Sequence, residues 1–161
     1  MRTHEPTAFT RLLEDYCRSV GMGEFEIDPD GGEFVVDDVT VVVRHDEDFG
    51  RLAMASTVES IAPEQLEQLA PVLLQLNAAL GLSGGLSFCA DATSGALQLQ
   101  QSVPLTNIDS EQLDAELALI VTKCRSAREL ISTLNEGPAM VREFLEKATQ
   151  GNDASLVMFK L

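Results

Sequence analysis

The spacing of apolar residues changes from a helical period to short β-branched runs and back, and this succession limits the folds open to the chain. A first helix is predicted near residues 6–21 from one apolar face made of Phe9, Leu12, Leu13, Tyr16, Cys17 and Val20. Residues 24–58 follow with β-branched and aromatic runs between turn residues. This second pattern indicates an antiparallel meander.

The strands of the meander are predicted from four apolar runs, at 25–27, 34–36, 39–43 and 51–58. Side chains alternate between the two faces of a strand. If Phe34, Val41 and Val43 face the helices, Val35 and Val42 lie on the open face of the sheet. Alternation therefore predicts a small apolar patch with acidic neighbours.

The middle of the chain predicts a second helix followed by a hairpin. The helix begins around Pro63, a residue suited to a first helical turn, and ends at Gly81. Pro71 lies inside it and predicts a kink. Two short strands over 86–90 and 96–100 then form the hairpin.

The third helix has the clearest start signal, because Asp109 and Gln112 have the spacing of a capping box. A short fourth helix is expected over 138–149. The fold class is thus α+β, in the order α-β-β-β-α-β-β-α, with a twisted antiparallel sheet packed by helices. We expect one domain at 1–137, and a short helix and mobile tail at 138–161.

The charge of the chain excludes several classes of partner. Of its 161 residues, 11 are Lys or Arg and 26 are Asp or Glu, which gives a net charge of −15. Residues 24–48 hold ten of the acids and one base, Arg44. This balance argues against binding nucleic acid or anionic lipid. The acidic stretch is either a solvated face or a docking surface for a basic segment.

No residue pattern indicates an enzyme or a cofactor. Cys17, Cys89 and Cys124 are widely spaced, so neither a disulfide framework nor a zinc site is expected. His45 stands beside Asp46, but no nucleophile motif accompanies them, so catalysis through His45 is the weakest hypothesis. No apolar run approaches the roughly 18 residues of a membrane span, and no signal peptide is visible, so we expect a cytoplasmic protein.

Four segments, taken in order, resemble the class I type III secretion chaperones, the Tir-chaperone family. They are 9–16 (FTRLLEDY), 73–77 (LLQLN), 85–88 (GLSF) and 95–99 (GALQL), followed by a long helix. The resemblance covers about residues 6–135. Pro71 and the length of the tail after Gly137 depart from the family pattern.

The resemblance implies a homodimeric chaperone that binds the N-terminal segment of secreted effectors and keeps it competent for secretion. A contact with the secretion-apparatus ATPase is also implied. The alternative is a regulatory module of the same fold that sequesters a secretion or transcription regulator. Sequence alone does not separate these two functions.

The resemblance also implies where partners bind. A client is expected on the first helix and the first strands, at Leu12, Tyr16, Val35, Val42 and Arg44. The dimer contact is expected on the second helix and the following strand, at Leu73, Leu76, Leu80, Leu86 and Phe88. Leu74 lies outside the core-facing side of that helix, which also favours a dimer.

Overall fold

The computed structural model describes residues 7–22, 27–81, 85–91 and 93–149. The helices are α1 (Ala8–Ser19), α2 (Pro63–Gly81), α3 (Ser110–Leu134) and α4 (Pro138–Thr149), with a single 3-10 turn at Leu105–Asn107. The strands are β1 (Gly31–Val36), β2 (Val39–Asp46), β3 (Arg51–Ser60), β4 (Ser87–Asp91) and β5 (Ala96–Pro104). Of the apolar run at 25–27, Ile27 is described and lies outside the strands, while the tail beyond 149 lies outside the described residues.

The five strands form one sheet in the order β1-β2-β3-β5-β4, and every neighbouring pair is antiparallel. Helix α2 lies between β3 and β4 in the chain, so the second hairpin returns to the sheet beside β3. The α+β class and the element order are as predicted. In this order, β1 and β4 are the two edge strands.

The helix starts follow local side-chain chemistry. Thr7 caps α1, because its hydroxyl accepts from the main-chain N–H of Thr10 at 3.2 Å. Asp109 and Gln112 form the predicted capping box at the start of α3. These caps satisfy main-chain donors that a helix start otherwise leaves unpaired.

One face of the sheet is covered by helices and carries the core. Val41 and Val43 are 0% exposed and Phe34 is buried, whereas Val35 is 69% exposed and Val42 is half-buried. The prediction from strand alternation is therefore confirmed for both faces. Because side chains alternate, the same short strands supply a core on one side and a surface on the other.

Helix α4 packs against α2 and α3. Val141 and Phe144 of this helix are buried in the same core as the rest of the chain. Gly137 joins α3 to α4 with a φ of 154°, a conformation that favours glycine. The division of the chain at residue 137 stays a prediction.

Candidate functional site

The open face of the sheet is built from the outward residues of β1, β2, β3 and β5. Val42 and Arg44 on β2, Ala53 and Ala55 on β3 and Gln100 on β5 line a concavity of about 460 Å³. Ala53 and Ala55 are half-buried, and their side chains are short. The short side chains of the central strand thus leave a shallow groove between β2 and β5.

At the β1 edge, Gly31, Glu33 and Val35 direct main-chain groups away from the sheet, and the N–H of Gly31 donates to the Asp28 carbonyl at 3.0 Å. Val36 and Val39 close the two-residue turn of the β1–β2 hairpin, and such pairs alternate between bonded and non-bonded along the ladder. Glu33 and Val35 fall in the non-bonded pairs, so their N–H and C=O groups point outward. In agreement, the carbonyl of Thr40, which is opposite Val35, accepts from the Ser56 hydroxyl of β3 at 2.9 Å.

The opposite edge is closed by a side chain of α2. The main-chain N–H of Phe88 in β4 donates to Asn77 Oδ1 at 2.6 Å, and Asn77 Nδ2 donates to the Phe88 carbonyl at 3.1 Å. One amide therefore satisfies both outward groups of Phe88. Within the described ranges, no strand or side chain does the same for Glu33 and Val35 at the β1 edge.

The β1–β2 turn is held on α3 by ion pairs. Arg125 Nη2 lies 2.8 Å from Asp37 Oδ2 and 2.8 Å from Asp38 Oδ1, and Arg128 Nη1 lies 3.1 Å from Asp38 Oδ2. The hydrogen bond from Arg125 holds the pKa of Asp38 below its usual range. Arg128 also donates to the carbonyl of Thr57 at 3.2 Å. We call this set of contacts the turn clamp.

The turn clamp adds to the interpretation of the acidic stretch. Asp37 and Asp38 were expected to be either solvated or available to a basic partner. Both side chains are exposed, at 75% and 66%, and both also pair within the chain, because α3 brings two arginines against the turn. These two acids therefore already have basic partners within the chain.

His45 occupies a structural position. Its ring stacks on Phe9 with centroids 5.1 Å apart, and its Nδ1 lies 3.8 Å from Glu47 Oε1. Across the part of the chain that is described, no group of three or more His, Cys, Asp or Glu side chains is arranged to hold a metal ion. The surroundings of His45 therefore suggest packing between α1 and the sheet.

The structure brings together three of the five residues expected to bind a client. Val35, Val42 and Arg44 lie on the open face next to the β1 edge. Leu12 and Tyr16 are 7% and 6% exposed and lie in the core on the other side of the sheet. The placement of these two residues leaves little of their surface for a partner.

Tyr16 illustrates the structural role of α1 in the core. Its ring packs edge-on against Phe34 with centroids 5.5 Å apart, and its hydroxyl donates to Asp114 Oδ1 at 3.1 Å. Burial, with a further contribution from Asp114, raises the pKa of Tyr16 to about 12. Tyr16 therefore packs against β1 on the helix-covered side of the sheet and links α1 to α3 by its hydrogen bond.

The residues expected at a dimer interface are buried within the single chain. Their exposed fractions are at most 7%, for Leu73, Leu76, Leu80, Leu86 and Phe88. Leu74, on the outer side of α2, is 71% exposed. Of the apolar residues of α2, Leu74 therefore offers the most surface to a second copy.

The fold and the element order can now be set beside known proteins. The model of the Tir chaperone protein (CesT) family matches residues 11–128. The chain belongs to this family. It is therefore a chaperone of type III secretion, as the resemblance of its four segments predicted.

Two solved structures are similar in fold. A chain in the structure of the HopA1–SchA chaperone–effector complex is 26% identical with a TM-score of 0.60, and the match covers 76% of this chain and 94% of that one. A chain in the ExsC–ExsE complex is 20% identical with a TM-score of 0.59, covering 75% and 91%. Comparison with curated protein sequences gives no match. Among the described helices, none is long and apolar enough to span a membrane.

Proposed function

We propose that this chaperone binds an extended N-terminal segment of a secreted effector along the β1 edge and keeps that segment competent for secretion. The observation that carries the proposal is the pair Glu33 and Val35, whose outward main-chain groups and exposed side chains lie at the same edge. A peptide that adds a strand to a sheet gains main-chain hydrogen bonds, and its alternate side chains meet surface positions. The HopA1–SchA chaperone–effector complex supports a partner of this class.

The open face next to the edge supplies the apolar part of this binding surface. Val35 is opposite Thr40, and Val42 is opposite Glu33, so the two valines lie on neighbouring strands of the same face. A client strand with an apolar side chain opposite Val35 would cover the exposed surface of that valine. A disordered client loses conformational entropy on binding, so a long contact of this kind is needed for tight binding.

We further propose that two copies pair through the outer side of α2 around Leu74, as a two-fold symmetric dimer in the cytoplasm. An exposed leucine between buried core leucines is the support for this surface. Sedimentation should give a dimer at micromolar concentration for the wild type and a monomer for Leu74→Lys. Delivery of the client would then include contact with the secretion-apparatus ATPase.

Substitution of Val35 by proline tests the strand-addition proposal. Because the N–H of Val35 points outward, proline removes a group offered to the client without breaking a bond of the β1–β2 ladder. Val35→Thr is the matched control, since it keeps the N–H and the β-branched shape. Tagged wild type and both variants are purified from the protein's own cell, and the captured proteins are identified by mass spectrometry.

We expect wild type and Val35→Thr to retain a secreted protein, and Val35→Pro to retain at least about tenfold less of it, the loss of about 1.4 kcal/mol. Deletion of the N-terminal segment of the captured protein should have the same effect. Equal recovery by Val35→Pro contradicts binding at the β1 edge. Capture of a regulator in place of a secreted protein supports the alternative function, the sequestering of a regulator.

A further inference from the structure

Glu33 and Val35 both direct main-chain groups outward from β1, but their side chains differ: one is a carboxylate and the other is aliphatic. Glu33 and Val35 are two positions apart, so their side chains stand on the same face. In a strand added antiparallel to β1, the residues directly opposite would exchange both main-chain bonds with Glu33 and Val35, with Cα atoms about 5.5 Å apart. A client strand would therefore contact β1 at two positions that are two residues apart, one opposite the Glu33 carboxylate and one opposite the Val35 side chain.

The charges around Glu33 favour a basic residue opposite it. A concavity of about 170 Å³ at the start of β1 is lined by Asp28, Asp30 and Glu33, with Arg44 on its β2 side. Neither Glu33 nor Arg44 has an ion pair within the described ranges. A client side chain would lie one strand spacing from Glu33 and two spacings, about 9.6 Å, from β2. Attraction to Glu33 therefore exceeds repulsion by Arg44.

The glycines of β1 leave room for that side chain. Gly31 is opposite Arg44, and Gly32 precedes Glu33, so β1 itself carries no side chain at its first two residues, and the N–H of Gly31 donates to the Asp28 carbonyl at 3.0 Å. Gly31 has a φ of 134°, and a Cβ there would overlap the carbonyl oxygen of Val43. The backbone thus requires glycine at Gly31, and among the described residues Asp28 and Asp30 border the concavity beside Glu33.

We propose that Glu33 and Val35 select clients whose strand carries Lys or Arg opposite Glu33 and an aliphatic residue two positions away, opposite Val35. This inference rests on the proposed binding of a client strand at the β1 edge. Opposite charges directly across an antiparallel pair contribute about 0.2–1 kcal/mol, which corresponds to up to about fivefold in affinity. Selectivity of this size is expected for each client strand and does not depend on the rest of the client.

Selection from a random decapeptide library displayed on phage tests the inference. Four proteins are used as targets: the wild type, Glu33→Lys, Val35→Pro and Glu67→Lys. Glu67 is exposed on α2, so its reversal matches the change in net charge without touching β1. Thermal melting of each variant shows that the fold is kept before the peptides are sequenced.

We expect the wild type and Glu67→Lys to enrich Lys or Arg two positions from Val, Ile or Leu, by about fivefold over the library. Glu33→Lys should enrich Asp or Glu at that position instead. Peptides that bind without a charge preference, or a preference that Glu67→Lys also reverses, overturn the inference and leave strand addition standing. Peptides that bind Val35→Pro as well as the wild type, or the absence of any enriched peptide, overturn the proposed function itself.

Discussion

At the β4 edge of the sheet, both outward groups of Phe88 bond to the side chain of Asn77, at 2.6 and 3.1 Å. At the β1 edge, the corresponding groups of Glu33 and Val35 point away from the sheet, and the adjacent valine side chain is 69% exposed. The two edges belong to one sheet and have similar lengths, yet only one of them is closed by a helix. Unpaired edges invite pairing with another chain, so proteins cover them where pairing is unwanted.

This difference shows which edge of the sheet is available to an extended partner. A partner strand at β4 would have to displace Asn77 from Phe88, and it would meet α2. A partner strand at β1 displaces no described side chain and meets the open face beside Val42. The turn clamp fixes β1 from its far end, through Asp38, so this end of the strand is held in place on α3.

The largest expected effect comes from β2, the strand next to the open edge. Val41→Glu should abolish folding, since it places an unpaired charge in the core at a cost of about 4 kcal/mol or more. Val42→Glu, one residue along, should leave the protein folded and weaken client binding by about 1–3 kcal/mol. Thermal melting and affinity for the captured client are measured on both variants. Tolerance of Val41→Glu together with unfolding of Val42→Glu would reverse our assignment of the faces.

A smaller effect is expected from opening the closed edge. Asn77→Ala removes the two hydrogen bonds that the Asn77 side chain makes with the main chain of Phe88, which should lower the free energy of unfolding by about 1–3 kcal/mol. Gln75→Ala on the same helix is the matched control, and we expect it to change stability by less than about 0.5 kcal/mol. Urea unfolding measures both. Equal stability of the two variants would mean that the Asn77 bonds do not distinguish the β4 edge from the β1 edge.

The smallest expected effect is the pH dependence of amide protection in the β1–β2 hairpin. The pKa of Asp38 is lowered in the folded protein, chiefly by its bond from Arg125, so the turn clamp contributes fully above the unfolded value of about 3.9. That contribution is lost as the pH falls through the lower, folded value. Amide protection measured by NMR between pH 6 and 3 should therefore fall in β1–β2. The β4–β5 turn should also lose protection in acid, because hydrogen bonds from Ser94 and Thr93 hold the pKa of Asp91 below its usual range, so an arginine variant is needed to separate the two hairpins.

Arg125→Ala should weaken protection of β1–β2 severalfold at pH 6 and remove most of its dependence on pH below 4. Arg18→Ala is the control, because Arg18 forms an exposed pair with Asp15 on α1 at 2.9 Å and does not touch the sheet. If Arg125→Ala weakens protection of β4–β5 as much as that of β1–β2, the clamp does not act on the β1 edge specifically.

Local patterns in the sequence were sufficient for most of the fold. Alternation assigned Val41 and Val42 to opposite faces, and the spacing of Asp109 and Gln112 placed the start of α3. These predictions succeed because strand faces and helix caps depend on residues a few positions apart. The order of the strands in the sheet depends on longer contacts, and no pattern in the sequence predicted it.

The candidate site was predicted only in part. Val35, Val42 and Arg44 were placed together, but Leu12 and Tyr16 lie in the core. An apolar helix face has the same sequence pattern whether it packs against a partner or against the sheet of its own chain, so the pattern could not exclude these two residues. The features that distinguish the edges join residues far apart: 87 positions separate Arg125 from Asp38. Spacing within one element contains no information on such contacts.

The β1 edge, which no described strand covers at Glu33 and Val35, also has a consequence for the protein while no client is bound. An exposed edge can template stacking of identical chains, the first step toward fibrils and precipitates. Two copies that approached through β1 would bring their Glu33 carboxylates close together, against the mutual repulsion of chains that each carry a net charge of −15. Repulsion between these acidic chains therefore opposes association of unloaded copies through β1.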